Sequence, residues 1–213
     1  LFNLISGLYT PTSGSIVFEG KPIAGRRPDE VTRAGIARTF QNIRLFGDMT
    51  VWENLLVGRH SRLKQNVFDD IFSTAKKRRE ESLAREMLEN LLKQFRMEKL
   101  RDELAKNLPY GLQRELEIMR AMASEPRLLM LDEPAAGMNP QETDQLMLQI
   151  KRLKELGFTV LVVEHDMKLV MNICDKITVL NYGKKIAEGV PREIQAHPEV
   201  IGAYLGKQVK DSA

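Results

Sequence analysis

The stretch LLMLDEPAAGMNP, residues 128–140, decides how the rest of the chain is read. Leu128, Leu129, Met130 and Leu131 form the unbroken apolar run expected of a strand buried on both faces. The run halts at Asp132 and Glu133, after which Pro134, Gly137 and Pro140 turn the chain. Adjacent carboxylates oppose each other, so the strand end calls for something that favours negative charge: a metal ion or an electropositive pocket. An ordinary salt-bridged strand end is the plainer alternative.

A second apolar run, FTVLVVEHD at 158–166, also ends in acids and adds His165. Between the two runs lies PQETDQLMLQIKRLKELG, with Leu146, Ile150 and Leu153 at helical spacing and Gly157 near its end. Strand, helix and strand in this order predict a parallel pair, and ligands of parallel α/β sheets sit beyond the carboxyl ends of the strands. If the two strands are neighbours, Asp132, Glu133 and His165 converge. That set suits phosphoryl transfer. Asp132 can hold Mg²⁺, usually through water, because a hard cation takes oxygen ligands. Glu133 can orient or deprotonate an attacking water, and His165 can donate to a terminal phosphate. Taken singly, each residue has a structural reading at least as good; the weight lies in their joint order.

The rest of the chain fits an α/β core. Leu1, Leu4, Ile5 and Leu8 predict a helix, and the segment at 10–23 predicts a turn and a strand ending at Gly20. A short helix over 29–37 and a strand ARTFQ at 37–41 follow. From 49 to 124 the pattern is helical almost throughout, with Val51, Leu55 and Leu56 on one face and Leu83, Met87, Leu91 and Leu92 on another. The segment YGLQRELEIMRAMAS, 110–124, is the last helix of this block, which reads as a helical subdomain inserted in the core. Gly111 is expected just before that helix, where backbone N–H groups can take an anion; an ordinary helix entry is the local alternative. Gln41 can ligate a metal through its amide oxygen or position water, or it is a surface amide. Beyond 166 the sequence predicts a helix, a hairpin turning at Tyr182-Gly183, and a helical tail broken at Pro198.

Composition excludes several classes. Hydrophobic residues make up 43% and charged residues 29%, as in ordinary globular proteins. The net charge of +3 is too small to indicate a nucleic-acid partner. The basic run AKKRR at 75–79 reads as a solvated helix face. A single cysteine, Cys174, allows no internal disulfide and reads as a small buried hydrophobe. No apolar run is long enough to span a bilayer and no signal peptide is visible, so no direct membrane insertion is expected and a membrane role runs through a partner.

In order, TFQ, NLPYGLQRELEI, LLMLDEP and VVEHD resemble the ATP-binding subunits of ABC transporters, and the likeness covers essentially the whole chain. The resemblance implies a P-loop NTPase-like core with an inserted helical subdomain at 49–124, within a single domain over 1–213 that ends in a helical tail at 190–213. It implies ATP and Mg²⁺ as cofactors. By the same resemblance Glu133 is the catalytic glutamate, His165 the switch histidine, and Gln41 the Q-loop glutamine. Asp132, with Gln41, holds the metal. Pro109, Tyr110, Gly111, Leu112 and Gln113 occupy the nucleotide-binding signature, and Ala136 to Pro140 the D-loop. Partners implied are transmembrane permease subunits and a second ATPase subunit, in a homo- or heterodimer, at the cytoplasmic face of the inner membrane.

AAGMNP, EHDMKLVM, the tail HPEVIGAYLG and the long insertion between Glu53 and Leu83 are similar to branched-chain amino-acid importers. The lipopolysaccharide-export relative has a similar tail and remains an alternative. A nucleotide-free interaction module is another, and a DNA-repair ATPase is disfavoured by the absence of sustained heptads. Two departures stand out. The phosphate loop G-x-x-x-x-G-K-[ST] is not among these residues; relatives carry it directly ahead of a helix like LFNLISG, so residues 1–213 alone are expected to hydrolyse no ATP. In the signature, usually L-S-G-G-Q, Pro109 replaces the serine and offers neither a hydroxyl nor an N–H. A weaker contact to the partner's nucleotide is expected.

Overall fold

A computed structural model of the chain describes residues 1–60 and 75–205. The chain starts with α1 (Phe2–Ile5), then β1 (Val17–Phe18) and β2 (Lys21–Pro22), which pair antiparallel around Glu19-Gly20. The predicted face of α1 is corrected. Leu1 and Leu8 are exposed, while Phe2 is buried with Ile23, Val31, Ile36 and Met130. One turn of helix ends too early to carry Leu8 inward.

Next comes α2 (Pro28–Ala34). Arg27 N–H donates to Glu30 Oε2 at its start, and Gly35 ends it in the left-handed region at φ 110°. That reversal starts β3 (Ile36–Arg38) earlier than the predicted 37–41 strand. β3 also stops earlier, so Phe40 and Gln41 lie in the loop beyond it.

The helical block contains α3 (Val51–His60), α4 (Ala75–Gln94) and α5 (Tyr110–Met122), with 3₁₀ turns at Glu98–Leu100 and Ala105–Asn107. The inward face of α4 is offset by one residue from the prediction. Ala84, Leu88, Leu91 and Leu92 are buried and Leu83 is exposed. On α3, Val51 and Leu55 are buried but Leu56 is partly exposed. Arg78 and Arg79 are exposed, as a solvated face requires. The polar part of the insertion at 61–74 and the last tail residues at 206–213 lie outside the described residues.

β4 (Leu128–Asp132) lies between β3 and β5 (Thr159–Val163) in a parallel three-stranded sheet. Leu129, Met130 and Leu131 are fully buried, which explains the uninterrupted apolar run. Each such side chain contributes about 1.5–3 kcal/mol relative to exposure. β5 differs from the prediction of a wholly buried strand: both its ends are exposed, because among the described residues it is the sheet's edge. Between β4 and β5, α6 (Pro140–Glu155) turns Leu146, Ile150 and Leu153 into the core. Asn139 and Glu142 cap its start reciprocally.

After β5, α7 (Met167–Ile173) is capped by Asp166 and leads to β6 (Ile177–Asn181) and β7 (Lys184–Gly189). Tyr182 and Gly183 both have positive φ, 46° and 78°, as the predicted two-residue hairpin turn demands. α8 (Pro191–Ala196) and α9 (Pro198–Val200) form the tail, and Pro198 separates them as expected. Cys174 is half-buried between two apolar clusters, and burial pushes its thiol pKa up.

Candidate active site

Strand register builds the site. Asp132 pairs with Val163 at the carboxyl ends of β4 and β5, and Glu133 N–H donates to the Val163 carbonyl at 2.9 Å. Glu133 then leaves the sheet at φ 43°, a left-handed conformation that costs a non-glycine residue of order 1 kcal/mol. Gln41, just past β3, donates from Nε2 to Glu133 Oε2 at 2.8 Å. His165, just past β5, places Nδ1 3.9 Å from the same oxygen. That is beyond a direct hydrogen bond. Three loops that follow three adjacent strands thus meet at one carboxylate oxygen. The His165 side chain is 74% exposed, so a ligand can reach it.

Asp132 of the opening acid pair is neutralised by an arginine. Asp132 Oδ2 accepts from Arg38 Nη2 at 2.7 Å. Arg38 Nη1 donates to Asn3 Oδ1 at 2.7 Å and Ser6 Oγ at 3.0 Å, and its guanidinium lies over the rings of Phe2 and Phe40. Arg38 therefore joins α1 to the end of β4. Sequence reasoning missed it, although a charge inside a buried strand needs a partner. Glu164 was missed too. Its carboxylate is almost wholly buried, accepts Ala135 N–H at 2.9 Å, and lies 3.2 Å from the donating His165 N–H. It ties the loop after Glu133 to the histidine backbone.

The donor set fits a magnesium ion in its chemistry. Asp132, Glu133 and Gln41 offer hard oxygens. Gln41 uses its NH₂ on Glu133, which leaves its amide oxygen as an acceptor. No group of three or more His, Cys, Asp or Glu ligands exists among the described residues. An ion held here would keep most of its waters, as Mg²⁺ does.

The signature residues stand on the first turn of α5. Pro109 is its N-cap and forms no side-chain cap; Tyr110 and Gly111 lie inside the helix, which corrects the expectation that Gly111 precedes it. Space is tight at Gly111, where an added Cβ would come within 3.3 Å of Glu142 Oε1. Leu112 packs against the core, and Gln113 Nε2 folds back onto the Leu108 carbonyl at 2.8 Å. Tyr110 Oη donates to the Ala136 carbonyl at 2.8 Å. Among the described residues, the side-chain hydrogen bonds of these five run to Leu108, Arg114 and the loop at Ala136, not to Glu133 or His165. Beyond the Gln41 loop, Leu45 and Trp52 pack on the core, and Phe46 is 46% exposed.

A family model for ABC transporters matches residues 1–136. The chain belongs to the ATP-binding subunits of ABC transporters. This ABC subunit is also matched at residues 184–210 by a model described as a branched-chain amino acid ATP-binding cassette transporter. It is similar to the high-affinity branched-chain amino acid transport ATP-binding protein BraF of Pseudomonas aeruginosa, with 47% identity over 97% of this chain and 82% of that one. LivG of Salmonella typhimurium and LivG of Escherichia coli K12, described in the same words, share 45% and 44% identity at the same coverage. Among solved structures, an ATP-binding cassette of an ABC transporter in its ADP conformation superposes with a TM-score of 0.79 at 29% identity, over 96% of this chain and 82% of that one. A nucleotide-free cassette gives 0.77 at 30% identity, over 95% and 81%. The ABC subunit is thus an ATPase that works with transmembrane permease subunits, and among the described residues it has no helix long and apolar enough to cross a membrane.

Proposed function

We propose that this ABC subunit powers uptake of branched-chain amino acids through separate permease subunits. The meeting of Gln41, Glu133 and His165 at one carboxylate oxygen carries the catalytic part of the reading. The solute class rests on the likeness to branched-chain amino acid transport ATP-binding proteins and on the family match at 184–210. Glu133 orients and deprotonates the attacking water, Gln41 holds Glu133 and offers its oxygen to the metal, and His165 donates to the terminal phosphate. Asp132, steadied by Arg38, would hold Mg²⁺ through water, and the ion would supply neutralisation of phosphate charge.

Two such subunits act as a head-to-tail dimer, homo- or heteromeric, on the cytoplasmic face of the inner membrane. The Pro109–Gln113 turn of one closes on ATP held by the other. Residues 49–124 act as the helical subdomain of the single domain over 1–213, and 190–213 as its tail. The segment around Phe46 and Met49, both partly exposed, receives the permease.

The test uses a form with a phosphate loop ahead of Leu1, reconstituted with permease subunits in vesicles. ATP-driven entry of leucine, isoleucine or valine is expected. Hydrolysis without such entry removes the solute assignment, and absent hydrolysis removes the catalytic one.

A further inference from the structure

The helical block and the Gln41 loop are joined by a buried charge. Arg114, on α5, has no exposed side-chain surface, and its partner Glu117 is 1% exposed. Arg114 Nη1 donates to the Phe40 carbonyl and Nη2 to the Gln41 carbonyl, both at 2.7 Å. Nη1 also donates to Glu117 Oε2 at 2.8 Å, and Glu117 Oε1 accepts the Arg44 N–H at 3.1 Å. One ion pair on one helix therefore grips the loop on both sides of Gln41.

Buried ion pairs are poor stabilisers, because apolar residues of similar volume usually serve as well. The geometry shows what this one is aimed at. Arg114 Nε is buried with no hydrogen-bond partner among the described residues, while both terminal nitrogens are spent on consecutive carbonyls of one loop. A planar fork bonded to two successive carbonyls fixes the loop in rotation as well as position; a lysine ammonium does not. From that loop Gln41 reaches Glu133. The first turn of α5, one turn before Arg114, carries Pro109 to Gln113, and Tyr110 there bonds to the Ala136 carbonyl.

We propose that Arg114 is a positioning residue whose fork transmits the placement of α5 to Gln41, and so sets Gln41 against Glu133. Movement of the α5 first turn then moves Gln41 with it. The proposal rests on the reading of Gln41 as a residue that orients Glu133, the metal or water.

The test compares Gln41→Ala, Arg114→Lys, Arg114→Met with Glu117→Met, and Arg114→Lys with Gln41→Ala, all in the form with a phosphate loop ahead of Leu1. Steady-state Mg-ATP hydrolysis and amide hydrogen exchange are measured on each. Arg114→Lys is expected to lower kcat about tenfold, with KM for ATP held within about twofold. In the Gln41→Ala background the same change is expected to cost nothing further, because residues acting as a unit are not additive. Exchange across residues 39–44 is expected to quicken while 128–132 stays protected. The paired Met variant keeps the core filled and is expected to match Arg114→Lys. Multiplicative losses in kcat, or unchanged exchange across 39–44, overturn the proposal. Full kcat in Gln41→Ala sinks only the reading of Gln41, and the exchange result then decides the clamp by itself.

Discussion

Asn54→Ala is expected to destabilise the chain by about 2–4 kcal/mol, out of proportion to the few atoms removed. Asn54 is fully buried on α3. Its Nδ2 donates to the Phe46 carbonyl at 3.0 Å and the Thr50 carbonyl at 2.9 Å, and its Oδ1 accepts the Phe46 N–H at 3.0 Å. At about 0.5–1.5 kcal/mol net per bond, three well-formed bonds give about 1.5–4.5 kcal/mol, which brackets that range. The carbonyls keep other donors, since Phe46 O also accepts from Met49 N–H and Thr50 O from Asn54 N–H. The group left without a partner is the Phe46 N–H, whose desolvation puts the loss toward the upper half of the range. Urea unfolding followed by circular dichroism measures it: the midpoint falls by about 1 M while the slope is unchanged. Asn54→Asp sharpens the test. It keeps an acceptor for Phe46 N–H but sets a carboxylate oxygen against the Phe46 and Thr50 carbonyls in a fully buried site, so a loss larger than that of Asn54→Ala is expected. A change below about 0.5 kcal/mol in Asn54→Ala, within the ordinary range for surface positions, would refute the claim that this one amide holds the 46–50 loop.

Glu133→Gln, in the form with a phosphate loop ahead of Leu1, is expected to lower kcat by about 100-fold or more while Mg-ATP binding persists; single-turnover hydrolysis with radiolabelled ATP reads this. Pro109→Ser supplies the side-chain cap that α5 lacks, and is expected to raise unfolding stability by about 1 kcal/mol in a thermal melt. It is also expected to tighten ATP-driven dimerisation, as read by sedimentation; unchanged dimer affinity would count against the signature reading. Hydrogen bonds from Lys176 and Lys185 hold the Glu188 carboxyl at about 2, below its ordinary 4.5. Its contribution to the β6–β7 hairpin is therefore complete above pH 4.5 and is lost as pH falls towards 2. Acid unfolding of Glu188→Gln should show a shallower slope across that window.

Much of the fold was legible in the sequence because local rules and tertiary packing agreed. The short apolar run at 128–131 between turn signals read as a buried strand, and Leu129, Met130 and Leu131 are indeed buried in the sheet's middle strand. Leu146, Ile150 and Leu153 gave the inward face of α6, and Tyr182-Gly183 gave the hairpin turn. Boundaries failed where tertiary bonds overrode pattern: β3 ends at Arg38, where Thr39 N–H makes the last bond to Met130, and α4 buries Ala84 and Leu88 in place of Leu83 and Met87.

By itself, the sequence determined which residue types stand at the ends of the strands: Gln41 after the first, Asp132 and Glu133 after the second, His165 after the third. Spacing along a chain carries that order, because strand ends and turns are local matters. Only the tertiary structure decided that Arg38 neutralises Asp132, that Glu164 ties the histidine loop to Ala135, and that Arg114 grips Phe40 and Gln41. Each of these contacts joins residues 29 to 94 positions apart. A buried charge announces in sequence that it needs a partner, but the partner is chosen by sheet register and helix packing, which no local pattern encodes.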